Sequence, residues 1–426
     1  MDNLKLESQA LHTGHDVSKT QGTRAVPIYQ SSSYVFQNSD HAARLFGLEE
    51  AGWIYTRLHN PTCDVLEQRL AAMEGGLAAC VTASGASALM TTFLTLLNAG
   101  DHIVSAKGLY GGTYTQLSVL LPRFGITTTF VGTLDVAAYE AAIQDNTRAI
   151  FVESLANPSL DIPDLEAIAA IAKKHGIPLI VDNTVPSPAL LNPIAWGANI
   201  VIHSLTKYIG GHGTTLGGVI VDAGKFDWSS GKFPAFTEPS PGYHGMVYHN
   251  AFKEAAFIAK VRLEGLRDIG AALSPLAAFE LIQGLETLTL RMAKHSENAL
   301  ALAKHLSTHP KIDWVSYPGL AGNKSFTAAQ KYLTKGQSGI VTIGIKGGFE
   351  AAKTVADNVK LFSLLANIGD TRSLIIHPAS TTHSQLSADE LTAAGVGQEM
   401  VRLSVGIEHL DDIISDLEQA LALVII

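Results

Sequence analysis

Between residues 78 and 222 the chain repeats one pattern: a short, continuous apolar run followed by a stretch with helical spacing. The runs are AACVTA (78–83), HIVSA (102–106), TTTFVG (127–132), RAIFVES (148–154), PLIVDN (178–183), NIVIHS (199–204) and GGVIVD (217–222). Between them ASALMTTFLTLL, LEAIAAIAKKHG and LDVAAYEAAIQ read as helices, and Lys173-Lys174-His175-Gly176 has the charge and glycine of a helix end. A strand that is apolar along its whole length must be covered on both faces. Seven such runs alternating with helices predict an α/β fold around a mostly parallel, seven-stranded sheet.

The flanks read differently. Residues 1–63 hold polar clusters and the stretch WIYTRLHNPT, and are expected to be irregular. DVLEQRLAAM (64–73) reads as an amphipathic helix, with Val65, Leu66, Arg69 and Leu70 dividing its faces. After Gly218 comes KFDWSSGKFPAFTEPSPGYHG, a long loop rich in Pro, Gly and aromatics, of the kind that often covers a site. Ser274-Pro275 reads as a cap and first turn of a linking helix. The tail carries the strand GIVTIGIKG (339–347), then TRSLIIHPAS, MVRLSVGIEHL and a closing amphipathic helix DDIISDLEQALALV. The expected division is an N-terminal segment (1–63), a large domain (64–273) and a smaller α+β C-terminal domain (274–426).

Composition excludes several classes. A net charge of −9 argues against a nucleic-acid reader, which carries a basic face. Apolar stretches such as LIVD and ALALVII are too short to span a bilayer. MDNLKLESQALHTG lacks the pattern of a secretory signal, so a cytoplasmic location is expected. Cys63 and Cys80 have neither disulfide-framework nor metal spacing, and H-E-x-x-H is missing, so no metal is expected.

In open α/β sheets ligands bind beyond the carboxyl ends of the strands. Ser84-Gly85-Ala86-Ser87 follows the first run and opens a helix, where free N–H groups suit a phosphate. Tyr110 follows the second run between glycines, and Asn157 follows the fourth. The fifth run ends in Asp182, and the sixth leads into Ser204, Thr206 and Lys207. Each has an ordinary role when taken singly: a packed turn tyrosine, a helix cap, a lysine that snorkels to water. Together they offer an anion cradle, a ring stacker, a carboxylate and an amine. A phosphate, a flat ring, a ring nitrogen and an aldehyde need those groups, which describes pyridoxal 5′-phosphate. A nicotinamide cofactor fits less well, because Gly211-His212-Gly213-Thr214-Thr215-Leu216-Gly217 has one residue too many for G-x-G-x-x-G and follows a lysine rather than a strand.

Ser204-x-Thr206-Lys207-Tyr208-x-Gly210-Gly211-His212 resembles the lysine signature of the cysteine/methionine-metabolism family of pyridoxal-phosphate enzymes. YTRLHNPT (55–62), SGAS (84–87), LYGGTY (109–114), ESLANP (153–158), VDNT (181–184), HPASTTH (377–383) and VRLSVGIE (401–408) match in order, across nearly the whole chain. The resemblance implies the aspartate-aminotransferase-like fold, called fold type I, and a homotetramer built from dimers. It implies that Lys207 carries the Schiff base, Asp182 faces the ring nitrogen, and Tyr110 stacks on the ring and assists proton transfer. Ser84, Gly85, Ala86, Ser204 and Thr206 would hold the phosphate, with Asn157 also at the cofactor. Tyr55 and Arg57 would reach that phosphate from a neighbouring subunit. Arg402, with Asn367 nearby, would clamp the substrate carboxylate.

Within the family, the 225–246 loop and ANIGDTRSLIIHPASTTHSQL (366–386) are similar to the branch of transferases that act on O-acetylhomoserine with sulfide or methanethiol. Relatives acting on cystathionine carry glutamate in E-S-L before x-x-H-P, where this chain has Arg372. The implied reaction yields homocysteine or methionine. Methionine γ-lyase chemistry and a succinyl-ester substrate are the alternatives within the family, and a non-catalytic binding protein is the remote one.

Overall fold

The structure, a computed structural model, describes residues 4–382 and 396–425. The strands of the large sheet are β1 (Ala78–Thr82), β2 (His102–Ala106), β3 (Thr127–Val131), β4 (Thr147–Glu153), β5 (Leu179–Asp182), β6 (Ile200–Ser204) and β7 (Gly218–Asp222). Each falls on one of the seven apolar runs. Their spatial order is β1-β7-β6-β5-β4-β2-β3. Only β7 is antiparallel to its neighbours, β1 and β6. Every other pair is parallel. The carboxyl ends of β1, β2, β4, β5 and β6 therefore lie along one edge. Register pins that edge: Thr82 and Ser204 both pair with Gly218, and Glu153 pairs with Asp182.

The register is held by burial. Ile150, Phe151, Val152, Ile180, Val181, Ile200, Val201 and Ile202 are all 0% exposed. Burying each stabilises the fold by about 1.5–3 kcal/mol, and a one-residue slip would turn them to the wrong face. Helix ends follow their caps. Asp164 accepts from Ala167 N–H at 3.3 Å to open the Leu165–Lys174 helix, which Gly176 ends at φ +60. Ser274 accepts from Ala277 N–H at 3.1 Å, with Pro275 first in the helix to Glu286.

Two expectations need correction. The 64–73 helix begins earlier, at Pro61, because Asn60 caps it by accepting from Thr62 N–H at 2.9 Å. It is not amphipathic but buried nearly all round, packed between β1 and the Leu6–His12 and Pro275–Glu286 helices. Its charges survive burial because each has a partner: Glu67 with Arg262 at 2.7 Å, Arg69 with Glu286 at 2.9 Å, and Glu74 with His203 at 2.7 Å. Residues 1–63 are also not wholly irregular, since Leu6–His12 and Ser39–Phe46 are helices.

The second sheet has five strands: β8 (Ile312–Ser316), β9 (Ile340–Ile345), β10 (Ser363–Leu364), β11 (Leu374–Ile376) and β12 (Met400–Ser404), in the order β10-β11-β12-β9-β8. The Gly348–Asn358 and Leu410–Ala422 helices pack against it. Helix Leu288–Leu306 joins the two cores. Its Leu288 and Met292 belong to the larger core, and its Ala299, Leu302 and Leu306 to the smaller. Residues 383–386, at the end of the quoted 366–386 stretch, lie outside the described residues.

Candidate active site

The edge formed by the strand ends carries the cradle. Ser84 caps the Gly85–Leu96 helix: its Oγ accepts from Ser87 N–H at 3.1 Å, and Ser87 Oγ accepts from Ser84 N–H at 2.9 Å. Gly85 lies against β6, and a Cβ there would stand 2.7 Å from the Cβ of Ser204. Only glycine lets the helix N-terminus and the end of β6 approach this closely. Gln116 donates to the Ala86 carbonyl at 3.0 Å. Thr206 faces Gly217, whose N–H donates to its Oγ1 at 3.2 Å.

Lys207 follows on the turn after β6. Its Nζ donates to Asn367 Oδ1 at 2.5 Å. Burial, and then the charge of Arg402, bring its pKa down to about 8. Arg402 projects from β12 and donates to Asn157 Oδ1 and to the Asn367 carbonyl, each at 3.1 Å. Burial lowers its pKa to about 10. Its Nε is buried without a partner. A buried guanidinium N–H left open is costly unless a ligand completes it, and a carboxylate does so in two-point fashion.

Asp182 is half-buried and accepts from Thr184 N–H at 2.9 Å. Burial raises its pKa, while Thr184 and the nearby His203 work the other way. Beside it, buried Glu153 accepts from Tyr110 N–H at 2.6 Å. Burial and the Asp182 charge push the Glu153 carboxyl well above the usual range. The Tyr110 ring is 57% exposed and lies over Gly112, where a Cβ would stand 2.5 Å from its Cε1.

The donor set suits pyridoxal phosphate: a cradle that a Cβ would fill, an amine of lowered basicity, a carboxylate and an open ring. A family model described as Cys/Met metabolism PLP-dependent enzyme matches residues 7–422. The chain belongs to this family. It is a PLP-dependent enzyme.

Its relatives are similar over their whole length. The chain is 54% identical over 428 residues to the O-acetyl-L-homoserine sulfhydrylase of Leptospira meyeri, covering 98% of this chain and 97% of that protein. It is 52% identical over 424 residues to the homocysteine synthase of Schizosaccharomyces pombe, covering 99% of each. Among solved structures, a Campylobacter jejuni protein described as an O-acetylhomoserine (thiol)-lyase superposes with a TM-score of 0.95 at 44% identity, over 98% of this chain and 100% of that one. That crystal structure carries a pyridoxyl-lysine monophosphate.

Direct contacts link Lys207, Asn367, Arg402 and Asn157 in one cluster. The β5–β6 edge places Asp182, Ser204 and the Ser84–Gly85 turn next to it, with Tyr110 joined through Glu153. Tyr55 and Arg57 make their contacts elsewhere in this family member. Arg57 donates to the Arg267 carbonyl, and its guanidinium lies 5.3 Å from the Tyr55 ring centroid.

Sequence reasoning missed four side chains around the candidate site. Glu153 ends an apolar run just as Asp182 does, so the signal was present. His203 and Glu74 form a fully buried pair behind β5 and β6, joined by Asn183, which donates to Glu74 at 2.9 Å. Arg291 donates to the carbonyls of Tyr208 and Gly284, each at 2.6 Å, and to that of Ile209 at 3.1 Å. It braces the turn that carries Lys207.

Proposed function

We propose that this chain catalyses γ-replacement on O-acetyl-L-homoserine: sulfide or methanethiol takes the place of acetate, giving L-homocysteine or L-methionine in methionine biosynthesis. The observation that carries this reading is the set of relatives, 44–54% identical over nearly the full chain, named as O-acetylhomoserine sulfhydrylases or homocysteine synthases. The geometry supports it. Arg402 offers two-point binding to the substrate α-carboxylate, and Asn367 joins that arginine to Lys207.

Ser84, Gly85, Ala86, Ser204 and Thr206 would hold the cofactor phosphate, Asp182 its ring nitrogen, Tyr110 its ring face and Lys207 its aldehyde carbon. Once bound, the cofactor supplies an electron sink for negative charge developing on the substrate. Lys207, released by the incoming amino group, takes the proton from Cα. A second proton leaves Cβ, with the Tyr110 hydroxyl in position to help, and acetate departs from Cγ. Sulfide adds at Cγ, and the protons return to Cβ and Cα. Acetyl ester and hydrogen sulfide thus become homocysteine and acetic acid, with no net oxidation.

The same reading makes the enzyme a homo-oligomer, a tetramer built from dimers with shared sites. Tyr55 is 41% exposed, Phe46 61% and Val35 98%, an apolar display that a second copy would cover. A cytoplasmic location belongs to the same proposal; among the described residues no helix is long and apolar enough to cross a membrane. Rates with the acetyl and succinyl esters test the substrate. A preference for the succinyl ester, or keto acid and ammonia released without a thiol, would move the chain to another branch of the family.

A further inference from the structure

β4 and β5 end side by side, and each ends in a carboxyl group. Glu153 and Asp182 are direct partners in the parallel register. Glu153 is 5% exposed, and among the described residues no cation pairs with it. Its carboxyl receives the Tyr110 N–H at 2.6 Å, and the Asn157 backbone lies near enough to favour its charged form. One side chain thereby fixes the turn that presents the Tyr110 ring, beside the asparagine that holds Arg402.

Two carboxyls side by side, one buried and one half-buried, resist ionising together, which favours a proton on one of them. The surroundings decide which. Asp182 on β5 has the Thr184 N–H, and His203 on β6 lies near enough to favour its charged form, with Glu74 bonded to that histidine. Glu153 has Asp182 as its charged neighbour. Among the described residues neither Lys207 nor Arg402 bonds to the pair; they bond to Asn367 and Asn157 instead. We propose that Glu153 is a positioning residue for the ring site, a neutral acid whose oxygen ties the Tyr110 backbone to the β4–β5 edge. The negative charge is thereby left to Asp182. This rests on reading Asp182 as the partner of the ring nitrogen.

Glutamine copies a neutral carboxylic acid in shape, acceptor and donor. The test uses full-length apoprotein of wild type, E153Q, E153A and D182N, titrated with pyridoxal phosphate at pH 6–8. Affinity is read from absorbance, and ring orientation from the visible circular dichroism of the bound cofactor. E153Q is expected to bind within about threefold of wild type at each pH with the same visible band. E153A should bind about tenfold more weakly with a reduced band, because the Tyr110 turn is released. If E153Q is as weak as E153A, a charge is required and the proposal is overturned. If E153A matches wild type while D182N is impaired, Glu153 positions nothing and only this inference fails. If D182N also matches wild type, the ring-site reading itself fails. Should E153A not fold, the E153Q affinity and band still decide.

Discussion

A lysine in water is almost never a base at neutral pH. With a pKa of 10.5 it is neutral about once in 3,000 molecules at pH 7, whereas at about 8 the share is roughly one in ten. Burial beside Arg402 makes that difference for Lys207. Lys207→Ala is expected to lower turnover by about 10³-fold or more, read as homocysteine formed per minute; activity near wild type would remove Lys207 from the mechanism. The same burial destabilises the apoprotein. A lysine whose folded pKa is depressed costs the fold most below about pH 8, where both states hold the proton. The cost fades as pH rises towards 10.5, where the unfolded chain loses its proton as well. Lys207→Met apoprotein should therefore be more stable than wild type at pH 7 by roughly 1–2 kcal/mol, with the gap closing by pH 10. Denaturant unfolding at the two pH values checks this, and a gap that widens with pH contradicts it. Arg402→Lys keeps the charge and loses the planar fork. KM for the acetyl ester should rise about tenfold, with a smaller change in kcat.

The elements matter because they bring distant residues to Lys207. Gly369 adopts φ +76, and a Cβ there would stand 2.6 Å from the Tyr208 nitrogen. Its own N–H donates to Ser404 Oγ at 3.0 Å. Only glycine lets the 366–370 loop lie this close to the lysine turn and place Asn367 on Nζ. Gly369→Ala should push the loop back, lowering stability by roughly 1–3 kcal/mol and reducing kcat. Thermal melting and steady-state kinetics read the two effects; an unchanged enzyme would show that the close approach is dispensable.

Elements also set what the sequence could reveal. The seven core strands were legible because two-sided burial demands unbroken apolar runs. Asp182 and Lys207 stood out as candidates because a charged group at the end of such a run needs a reason. β8 escaped notice because IDWVS mixes exposed and buried positions, and β10 because it is two residues long. Arg291 was invisible for another reason: it bonds to carbonyls up to 83 residues away, and a carbonyl leaves no mark in a sequence. Asn367 and Arg402 were reached through resemblance alone, since spacing does not say that β12 passes beside Asn157.

At the scale of the molecule, the proposed site lies where two cores meet. Lys207, Asp182 and Asn157 come from the large sheet, and Asn367 and Arg402 from around the small one. A third contribution is proposed from a second copy, through Tyr55 and Arg57. This makes a clear prediction. Arg57→Ala and Lys207→Ala proteins, each impaired alone, should regain about a quarter of wild-type activity when unfolded together and reassembled at random, because mixed dimers contain one intact site. No regain, with mixed dimers verified by mass, would mean that Arg57 and Lys207 of the same chain serve one site.

The central claim is the reaction, and product analysis of purified, cofactor-loaded protein tests it most directly. O-acetylhomoserine is supplied with and without sulfide, and homocysteine, acetate, keto acid and ammonia are measured. The account predicts homocysteine and acetate in equal amounts, formed only when sulfide is present. Keto acid and ammonia formed without sulfide, or no homocysteine with it, would contradict the account.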